Sequence, residues 1–378
     1  MNANEQVMKE ELFVECKGLS IGYHERSSAL VVVKKNLSLR ASGGEMVALI
    51  GGNGIGKSTL LKTIAGFQPP LSGELLIHHR SAADYSPGEL ARVMSFVSTG
   101  IVRVANLTVR ELVGLGRFPY TGWFGQLSEN DHRIIGEAIK QVGLSGYGNR
   151  PINRISDGER QRAMVARALA QDTGIVILDE PTAFLDISNK HEIVRILHQL
   201  ADEQGKCIIY STHDLNTALS TADRIWLMLG DQVVEGIPEE LAFNGYFSGL
   251  FPNNPHLVFD PEKGDFRIRK ENKGIVHLKA VGSQLILAAK ALERLGFEVI
   301  PVSPSSSPPV SKSPSLSPPS LRPSGSPSSV SPVSRPIVME VTELSTNWTL
   351  NYLGKSMEFK SLEELCRAVK KIRLRPES

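Results

Sequence analysis

The sequence has 378 residues, 41 % of them hydrophobic and 22 % charged, a balance typical of a globular protein with one large domain or two. Its 42 Lys and Arg against 40 Asp and Glu leave a net charge of only +2, which argues against a broad nucleic-acid partner. Three widely spaced cysteines, Cys16, Cys207 and Cys366, argue against a disulfide framework and a zinc site and are typical of a reducing cytosol. The polar N-terminus and the absence of an apolar run near ~20 residues predict neither a signal peptide nor a membrane span.

The first fifty residues are predicted to form strands, at 12–16, 29–33, 37–40 and 46–50, because each range is rich in β-branched and apolar residues. Tyr23 lies between the first two and is placed where it could cover a nucleotide base. A buried core tyrosine is the commoner alternative for such a residue.

A glycine-rich segment, residues 51–59, follows the apolar run 46–50 and precedes a helical pattern. It fits G-x-x-x-x-G-K-[ST], in which backbone N–H groups at a helix N-terminus hold phosphates. Lys57 is expected to reach the β- and γ-phosphates, and Ser58 to offer a hydroxyl to Mg²⁺. The residues predicted to surround the nucleotide here are Gly51, Asn53, Gly54, Gly56, Lys57, Ser58 and Thr59. The alternative is a strand-to-helix turn without a ligand.

Residues 87–143 are mainly helical in pattern, which indicates a helical insertion in an α/β domain. Residues 155–161 follow, and their Ser156 and Asp157 are good cap and first-turn residues for a helix over 159–170. A capped surface helix without a ligand is the alternative.

Two apolar runs end in polar residues: 175–178 runs into Asp179 and Glu180, and 207–212 runs into His213. An amphipathic helix over 189–200 lies between them. Such alternation predicts a mostly parallel sheet with its site at the carboxyl ends of the strands. The alternatives are solvated strand ends and, for a lone histidine, a structural residue.

Taken together, residues 11–250 resemble the ATPase subunit of ATP-binding-cassette (ABC) transporters, with a helical subdomain at about 87–155. The resemblance implies an α/β fold of the P-loop NTPase, ABC type. It identifies 155–161 as the signature sequence, 175–180 as the second nucleotide motif, 183–186 as the D-loop and His213 as the switch histidine. Tyr23 takes the place of the adenine-stacking aromatic.

The resemblance also implies roles for these residues, with ATP and Mg²⁺ as cofactors. Asp179 and Ser58 would hold Mg²⁺, while Glu180, His213 and Lys57 would be catalytic, with Glu180 orienting or deprotonating the attacking water. The residues expected to meet the nucleotide of a second subunit in trans are Ser156, Gly158 and Glu159, and Asp186 of the D-loop is also assigned to the nucleotide site.

One P-loop and one signature per chain imply a homodimer. The further partners implied are polytopic membrane permease subunits and, indirectly, a substrate-binding protein that is periplasmic or on the cell surface. The expected location is peripheral, on the cytoplasmic side of the inner (cell) membrane.

Two positions depart from the family pattern. Thr99 stands where a glutamine usually touches Mg²⁺ and the permease, and its shorter hydroxyl side chain puts direct metal contact in doubt. Asp157 stands where glycine is commonest in the signature, and its negative charge is expected to moderate closure on phosphate.

The segment 107–120 resembles the importer branch that serves ferric siderophores, haem and cobalamin. The alternatives are an ABC ATPase that powers transport of a different substrate, and a soluble ABC ATPase outside transport. A translation-type member would carry two cassettes and a DNA-repair member a long coiled coil, and neither pattern is in the sequence. A non-hydrolysing regulator would be expected to lack Glu180 or Lys57.

Beyond the family pattern, residues 257–300 and 337–374 predict strands and helices of a small accessory α+β domain. Residues 301–336, mostly Ser and Pro, predict a disordered linker or loop, because such a composition cannot bury enough surface to offset chain entropy. A regulatory or docking role and a merely stabilising one both remain open for this domain.

Overall fold

The computed structural model describes residues 11–24, 30–98, 107–122, 125–183, 185–252, 254, 256–260, 264–268, 272–302, 337–344 and 347–372. The chain divides into two compact units, Met1–Ile268 and Arg269–Ser378. Within the described residues, the first unit contains three sheets and two hydrophobic core clusters, and the second unit contains one sheet and one core cluster.

The first unit alternates strands and helices along the chain. Its strands are β1 (Leu12–His24), β2 (Leu30–Ser42), β3 (Met46–Gly51), β4 (Ser72–Ile77), β5 (Arg80–Ser81), β6 (Met94–Val97), β7 (Ile175–Leu178), β8 (Cys207–Thr212), β9 (Arg224–Leu229), β10 (Gln232–Gly236), β11 (Leu257–Asp260) and β12 (Asp265–Ile268). Its helices are α1 (Lys57–Ile64), α2 (Pro87–Val93), α3 (Val109–Gly114), α4 (Glu129–Gln141), α5 (Asp157–Ala170), α6 (Ile187–Gln204), α7 (Leu215–Thr221) and α8 (Pro238–Phe243).

The main sheet has the order β10-β9-β3-β8-β7-β6, and all its neighbouring strands are parallel except for β10 at one edge. Strands β3, β7 and β8 are buried along their whole length, as expected of parallel strands covered on both faces. Alternate residues of β3 therefore serve different cores. Ala48 packs with the helical side, and Leu49 packs with α1 and the antiparallel sheet β2-β1-β4-β5. These layers give the predicted α/β class.

One strand prediction was wrong in detail. The ranges 29–33 and 37–40 were expected to be two strands, but the structure has the single strand β2, which pairs antiparallel with β1 through several register shifts. Asn36 has φ 54° within that strand. Pairing with β1 on either side of this irregularity keeps the strand continuous, because tertiary hydrogen bonding outweighs the weak local propensity of the polar residues 34–36.

The helical subdomain is held together by a buried ion pair. Arg117 Nε lies 2.7 Å from Asp131 Oδ1, and both side chains are almost wholly buried. Asp131 also accepts from Ser128 at the start of α4, and Arg117 donates to the carbonyl of Ala170 at the end of α5. The pair thus joins the segment 115–120, an element of the importer-like pattern, to both helices.

An aromatic cluster fixes the hairpin β11–β12 in the first unit. Phe259 is buried, and its ring centroid lies 4.8 Å from that of Phe247 and 5.2 Å from that of Phe266. The accessory domain was predicted to begin at 257, whereas the division into compact units falls after 268. The physical reason is this aromatic packing, by which Phe259 of β11 and Phe266 of β12 join a hydrophobic core of the first unit.

The second unit contains β13 (Gly274–Lys279), α9 (Gly282–Arg294), β14 (Glu298–Pro301), β15 (Ile337–Leu344), β16 (Asn347–Tyr352), β17 (Lys355–Phe359) and α10 (Leu362–Ile372). Its sheet has the order β14-β13-β15-β16-β17, with the first three strands parallel. Both helices contribute to one core, which includes Val276, Leu292, Val341 and Leu365. Strands from before and after the Ser/Pro tract thus share one sheet. Residues 303–336, on which the prediction of disorder rests, lie outside the described residues.

Candidate nucleotide site

The glycine-rich segment connects the buried strand β3 to helix α1, as predicted. Gly54 and Gly56 have φ 73° and 114°, a region that L side chains rarely adopt. A Cβ on Gly56 would also lie 2.2 Å from Val33 Cγ1. Glycine is therefore required at residue 56 by both conformation and space, and α1 can begin at Lys57 with its first backbone N–H groups directed at the loop.

Lys57 is buried in this loop. Its Nζ donates to the carbonyls of Gly51 at 2.9 Å and Gly52 at 3.2 Å. Burial lowers the pKa of this ammonium, and the nearby carboxylates of Glu180 and Asp179 oppose that shift. The fold thus brings Lys57 close enough to Asp179 and Glu180, more than a hundred residues later in the chain, for their charges to interact.

Asp179 and Glu180 follow β7, the strand next to β8 in the main sheet. Asp179 is buried, and its Oδ1 accepts a 2.8 Å hydrogen bond from Ser211 Oγ. The same oxygen of Ser211 accepts a 2.8 Å hydrogen bond from the backbone N–H of Glu180. One hydroxyl on β8 thus fixes both acids that end β7.

Glu180 has φ 51°, an uncommon conformation for a residue with a side chain. Its Oε1 lies 2.5 Å from His213 Nε2. Both side chains reach solvent, with exposed fractions of 28 % and 45 %. A non-glycine residue persists at positive φ only where its surroundings hold it, and such residues cluster at functional sites. The carboxylate can accept a proton from a water molecule, and the imidazole beside it fixes the carboxylate's position.

The signature residues lie at the start of α5. Ser156 is the N-cap: its backbone N–H donates to Glu159 Oε2 at 2.7 Å, and its Oγ accepts from Glu159 N–H at 3.2 Å. The hydrogen bond from the backbone N–H of Ser156 to its carboxylate is the main cause that lowers the pKa of Glu159, with smaller contributions from the side chains of Tyr147 and Ser156. Asp157 is paired with Arg160 at 2.7 Å, which offsets part of the charge that departs from the family pattern.

A second helix start lies beside the signature. Asp186 caps α6 by accepting from the backbone N–H of Asn189 at 2.8 Å and from Asn189 Nδ2 at 2.9 Å, and both bonds lower the pKa of Asp186. Asn189 also lies against Gly158. Asn189 therefore connects Gly158 to Asp186. Lys57, Asp179, Glu180 and His213 form a separate cluster.

The remaining predicted residues are placed as follows. Tyr23 is 44 % exposed near the end of β1, so the alternative of a buried core tyrosine is wrong. Ser58 and Thr59 lie in the first turn of α1, with Asn53 exposed in the loop before it. Thr99 lies outside the described residues.

Ser211 and Asn189 were missed from sequence. Ser211 is the first polar residue after the apolar run 207–210, and this was the only signal in the sequence. Its two hydrogen bonds depend on the neighbouring strand. Asn189 looked like an ordinary first-turn residue of an amphipathic helix. Its contact with Gly158 spans about thirty residues of sequence and could not be read from either segment.

Comparisons with known proteins agree with this geometry. The family model described as ABC transporter matches residues 34–183. The chain is 40 % identical over 229 residues to an uncharacterized ABC transporter ATP-binding protein of Methanocaldococcus jannaschii, covering 60 % of this chain and 77 % of that protein. The chain belongs to the ABC transporter ATP-binding proteins.

Two further members of the family are informative. The chain is 36 % identical over 244 residues to the iron(3+)-hydroxamate import ATP-binding protein of Bacillus subtilis, covering 64 % of this chain and 89 % of that protein. A solved ATP-binding cassette, a dimer in a post-hydrolysis state with ADP and Pi bound, matches with a TM-score of 0.53 and 30 % identity over 60 % of this chain and 98 % of that one. The resemblance to ABC ATPases and the α/β fold predicted with it are confirmed, and the chain is an ATPase. Among the helices that the structure describes, none is long and apolar enough to cross a membrane.

Proposed function

We propose that this ABC ATPase hydrolyses Mg-ATP and couples hydrolysis and subunit closure to the uptake of an iron chelate (siderophore), haem or cobalamin. The observation that carries the hydrolytic assignment is the pairing of Glu180 with His213 at the carboxyl edge of the sheet. A nucleotide-binding regulator without hydrolysis would need neither this carboxylate nor its unusual backbone conformation.

Each catalytic side chain has a distinct task. Lys57 supplies a positive charge to the β- and γ-phosphates when it exchanges its carbonyl partners for phosphate oxygens. Glu180 orients the attacking water and accepts its proton. His213 holds the Glu180 carboxylate and contacts the γ-phosphate, so the presence of that phosphate is felt at the same side chain.

The donor set fits Mg²⁺. The Asp179 carboxylate is buried and fixed through one oxygen by Ser211, and Ser58 offers a hydroxyl in the first turn of α1. Hard oxygen donors of this kind, completed by phosphate oxygens, suit Mg²⁺. The described residues contain no group of three or more His, Cys, Asp or Glu that would hold a metal alone. When bound, the ion would neutralise charge that develops on the transferred phosphoryl group.

The residues at the starts of α5 and α6 act across a homodimer. Ser156 and Asp186 are exposed on one chain, and Ile187 next to them is 76 % exposed although it is apolar. Exposure of such residues at two helix N-termini supports a partner surface that carries a bound anion. We therefore assign Ser156, Gly158, Glu159 and Asp186 to the nucleotide of the second subunit, with Tyr23 against the adenine of its own.

A cleft of about 750 Å³ is lined by residues of α1, β4, α2 and the segment 115–119. Phe67 and Phe118 line it, and their exposed fractions are 66 % and 71 %. Large exposed aromatic side chains beside a cleft favour an interaction site. We assign this face to the permease, which places the protein peripherally on the cytoplasmic side of the inner membrane, with a substrate-binding protein as an indirect partner.

Two observations support the substrate class: the importer-like segment 107–120, whose Arg117 is fixed in the fold, and the iron(3+)-hydroxamate importer of Bacillus subtilis among the relatives. The test is reconstitution of this chain in vesicles with membrane permease subunits that co-purify with it and an encapsulated Mg-ATP supply. Uptake of ferric hydroxamate, haem or cobalamin that stops with Glu180→Gln is expected.

ATP hydrolysis with uptake of a different cargo would favour the alternative ABC transporter. Hydrolysis without any permease association would favour the soluble, non-transport ATPase.

The trans arrangement has its own test. Ser156→Arg places a bulky cation at the signature turn, and we expect it to spare ATP binding by one subunit while blocking ATP-driven dimerisation. A Ser156→Arg subunit that dimerised normally with a Glu180→Gln partner at both sites would contradict a composite site.

A further inference from the structure

Asn189 lies where the signature turn meets the start of α6. Its Nδ2 donates to Asp186 Oδ2 at 2.9 Å, and its Oδ1 faces Arg162 Nη1 at 3.5 Å. An anion at one end of the amide and a cation at the other fix its orientation. The side chain is therefore held from both sides, by a residue before α6 and by a residue of α5.

Gly158 shows the same contact from the other side. It is buried in the first turn of α5 and has no positive φ, so its backbone would accept any residue. Alanine favours a helix more than glycine does. A Cβ on Gly158, however, would lie 2.5 Å from Asn189 Cγ and 2.6 Å from Asn189 Oδ1. Within one subunit, the Asn189 side chain is what excludes a larger residue at 158.

We propose that Asn189 is a positioning residue that fastens the signature turn to the D-loop of the same subunit. Gly158 and Asp186 then meet the partner's nucleotide as one piece. The inference rests on the proposed function, because it adds a linkage within each subunit to the site assigned in trans. Asn189 is not itself assigned a contact with the nucleotide or with the attacking water.

The helix start does not depend on this side chain. Asp186 Oδ1 still accepts from the backbone N–H of residue 189 when the amide is removed. Asn189→Ala therefore keeps the N-cap of α6 and is expected to keep the melting temperature. A matched control is Asn130→Ala, which removes an asparagine from the first turn of α4, outside the signature and the D-loop. Asn130 Oδ1 accepts a 2.8 Å hydrogen bond from Arg133.

The decisive experiment is a double-mutant cycle on the full chain, with Gly158→Ala, Asn189→Ala and the double variant. The maximal ATPase rate, KM for ATP and ATP binding are measured for each, and ATP-driven dimerisation is measured in the Glu180→Gln background. Gly158→Ala alone is expected to lower the maximal rate by roughly tenfold, and Asn189→Ala by roughly threefold, with ATP binding by the monomer unchanged.

The double variant distinguishes the two explanations for Gly158. If Asn189 excludes the extra methyl group, the cost of Gly158→Ala should fall from roughly tenfold to roughly threefold once residue 189 is alanine, because the space within the subunit is then free. The remaining loss reflects the contact of residue 158 with the partner's nucleotide. Equal losses of rate from Gly158→Ala in both backgrounds would show that residue 158 is constrained only by the partner's nucleotide. That result would overturn the proposal that Asn189 fastens the signature turn to the D-loop. Asn189→Ser, which is smaller but retains a hydrogen-bonding group, is expected to fall between wild type and Asn189→Ala.

Failure of the inference can be distinguished from failure of the proposed function. A wild-type chain that neither hydrolyses ATP nor dimerises with it would contradict the function. A wild-type chain that does both, with Asn189→Ala and Asn130→Ala equally active, would contradict the linkage alone.

Discussion

Ser211 Oγ donates a 2.8 Å hydrogen bond to Asp179 Oδ1, and this single contact links the polar ends of two neighbouring parallel strands. Ser211 is fully buried, and the same hydroxyl accepts from Glu180 N–H. Both acids are thus held by a residue that is not itself ionisable. Their positions are set by the register of β7 against β8.

Ser211→Ala should lower the maximal ATPase rate while leaving ATP affinity nearly unchanged. Each lost hydrogen bond contributes on the order of 1 kcal/mol, so the loss of both is expected to lower the rate by roughly thirtyfold if both restrain the acids. Steady-state kinetics and a nucleotide titration measure the two quantities. Ser95→Ala is the control, because it removes a buried hydroxyl that bonds to Thr173. Equal loss of rate in the two variants would show that Ser211 acts only through packing.

Lys57→Ala should weaken ATP binding by roughly tenfold or more, because it deletes the charged donor to the phosphates. The free protein should lose little stability, since burial already disfavours the charged amine, as its lowered pKa shows. Direct binding of ATP and thermal unfolding without nucleotide test the two statements. Unchanged ATP affinity would count against the assignment of the glycine-rich loop.

Asp131→Asn should destabilise the protein in a pH-dependent way. The pKa of Asp131 is lowered from 3.8 to about 2, first by the Ser128 hydroxyl and backbone and then by Arg117. Because the folded protein favours the carboxylate, the stabilisation is complete above the ordinary pKa and is lost as the pH falls towards 2. The free energy of unfolding should therefore fall by about 3 kcal/mol near neutral pH, where the buried Arg117 loses its partner, and by less in acid.

Urea unfolding of wild type and variant from about pH 6 downwards measures this difference. The control is Glu137→Gln, which breaks the exposed pair with Arg133 and should cost less than about 0.5 kcal/mol. A difference between Asp131→Asn and wild type that stayed constant with pH would mean that the charge of Asp131 contributes nothing.

Replacing residues 303–335 with a Gly/Ser linker should leave the ATPase rate and the melting temperature nearly unchanged. Because β14 and β15 are parallel with β13 between them, the linker must run back along the length of β13, about 20 Å, and across about 10 Å of sheet. A linker of about twelve residues spans up to ~40 Å and is therefore long enough. Closure entropy changes by only ~0.6 kcal/mol for a twofold change in loop length.

Ending the chain after Val302 should instead expose the hydrophobic core of the second unit. It removes β15, which pairs directly with β13, together with Val341, Leu350 and Leu365 of the core. Dye binding and aggregation are expected to rise. Equal solubility and equal melting temperatures for the truncated and full chains would show that the two pieces do not fold as one domain.

Local patterns were sufficient to predict most elements of the fold and several of the residues that the structure brings together, Lys57, Asp179, Glu180 and His213. The glycines and the lysine of residues 51–59 indicate a phosphate-binding loop without reference to any other segment. The uninterrupted apolar run before Asp179 and Glu180 indicates a parallel strand covered on both faces. Both signals lie within a few consecutive residues.

The features that were missed depend on pairing between distant segments. The continuity of β2 comes from its pairing with β1, and the placement of β11 comes from the packing of Phe259 on Phe247. The hydrogen bonds of Ser211 depend on the neighbouring strand. The link from Asn189 to Gly158 is also tertiary. None of these can be read from propensity or periodicity within one window, because the partner residue is supplied by the fold.

Glu180→Gln tests the central claim most directly. The amide keeps the size of the side chain and can still bond to His213, but it cannot accept a proton from water. We expect ATP binding and its Mg²⁺ dependence to persist, steady-state hydrolysis to fall by at least roughly 100-fold, and an ATP-bound dimer to accumulate in size-exclusion chromatography. Hydrolysis by Glu180→Gln near the wild-type rate would contradict the assignment of Glu180 as the residue that activates water.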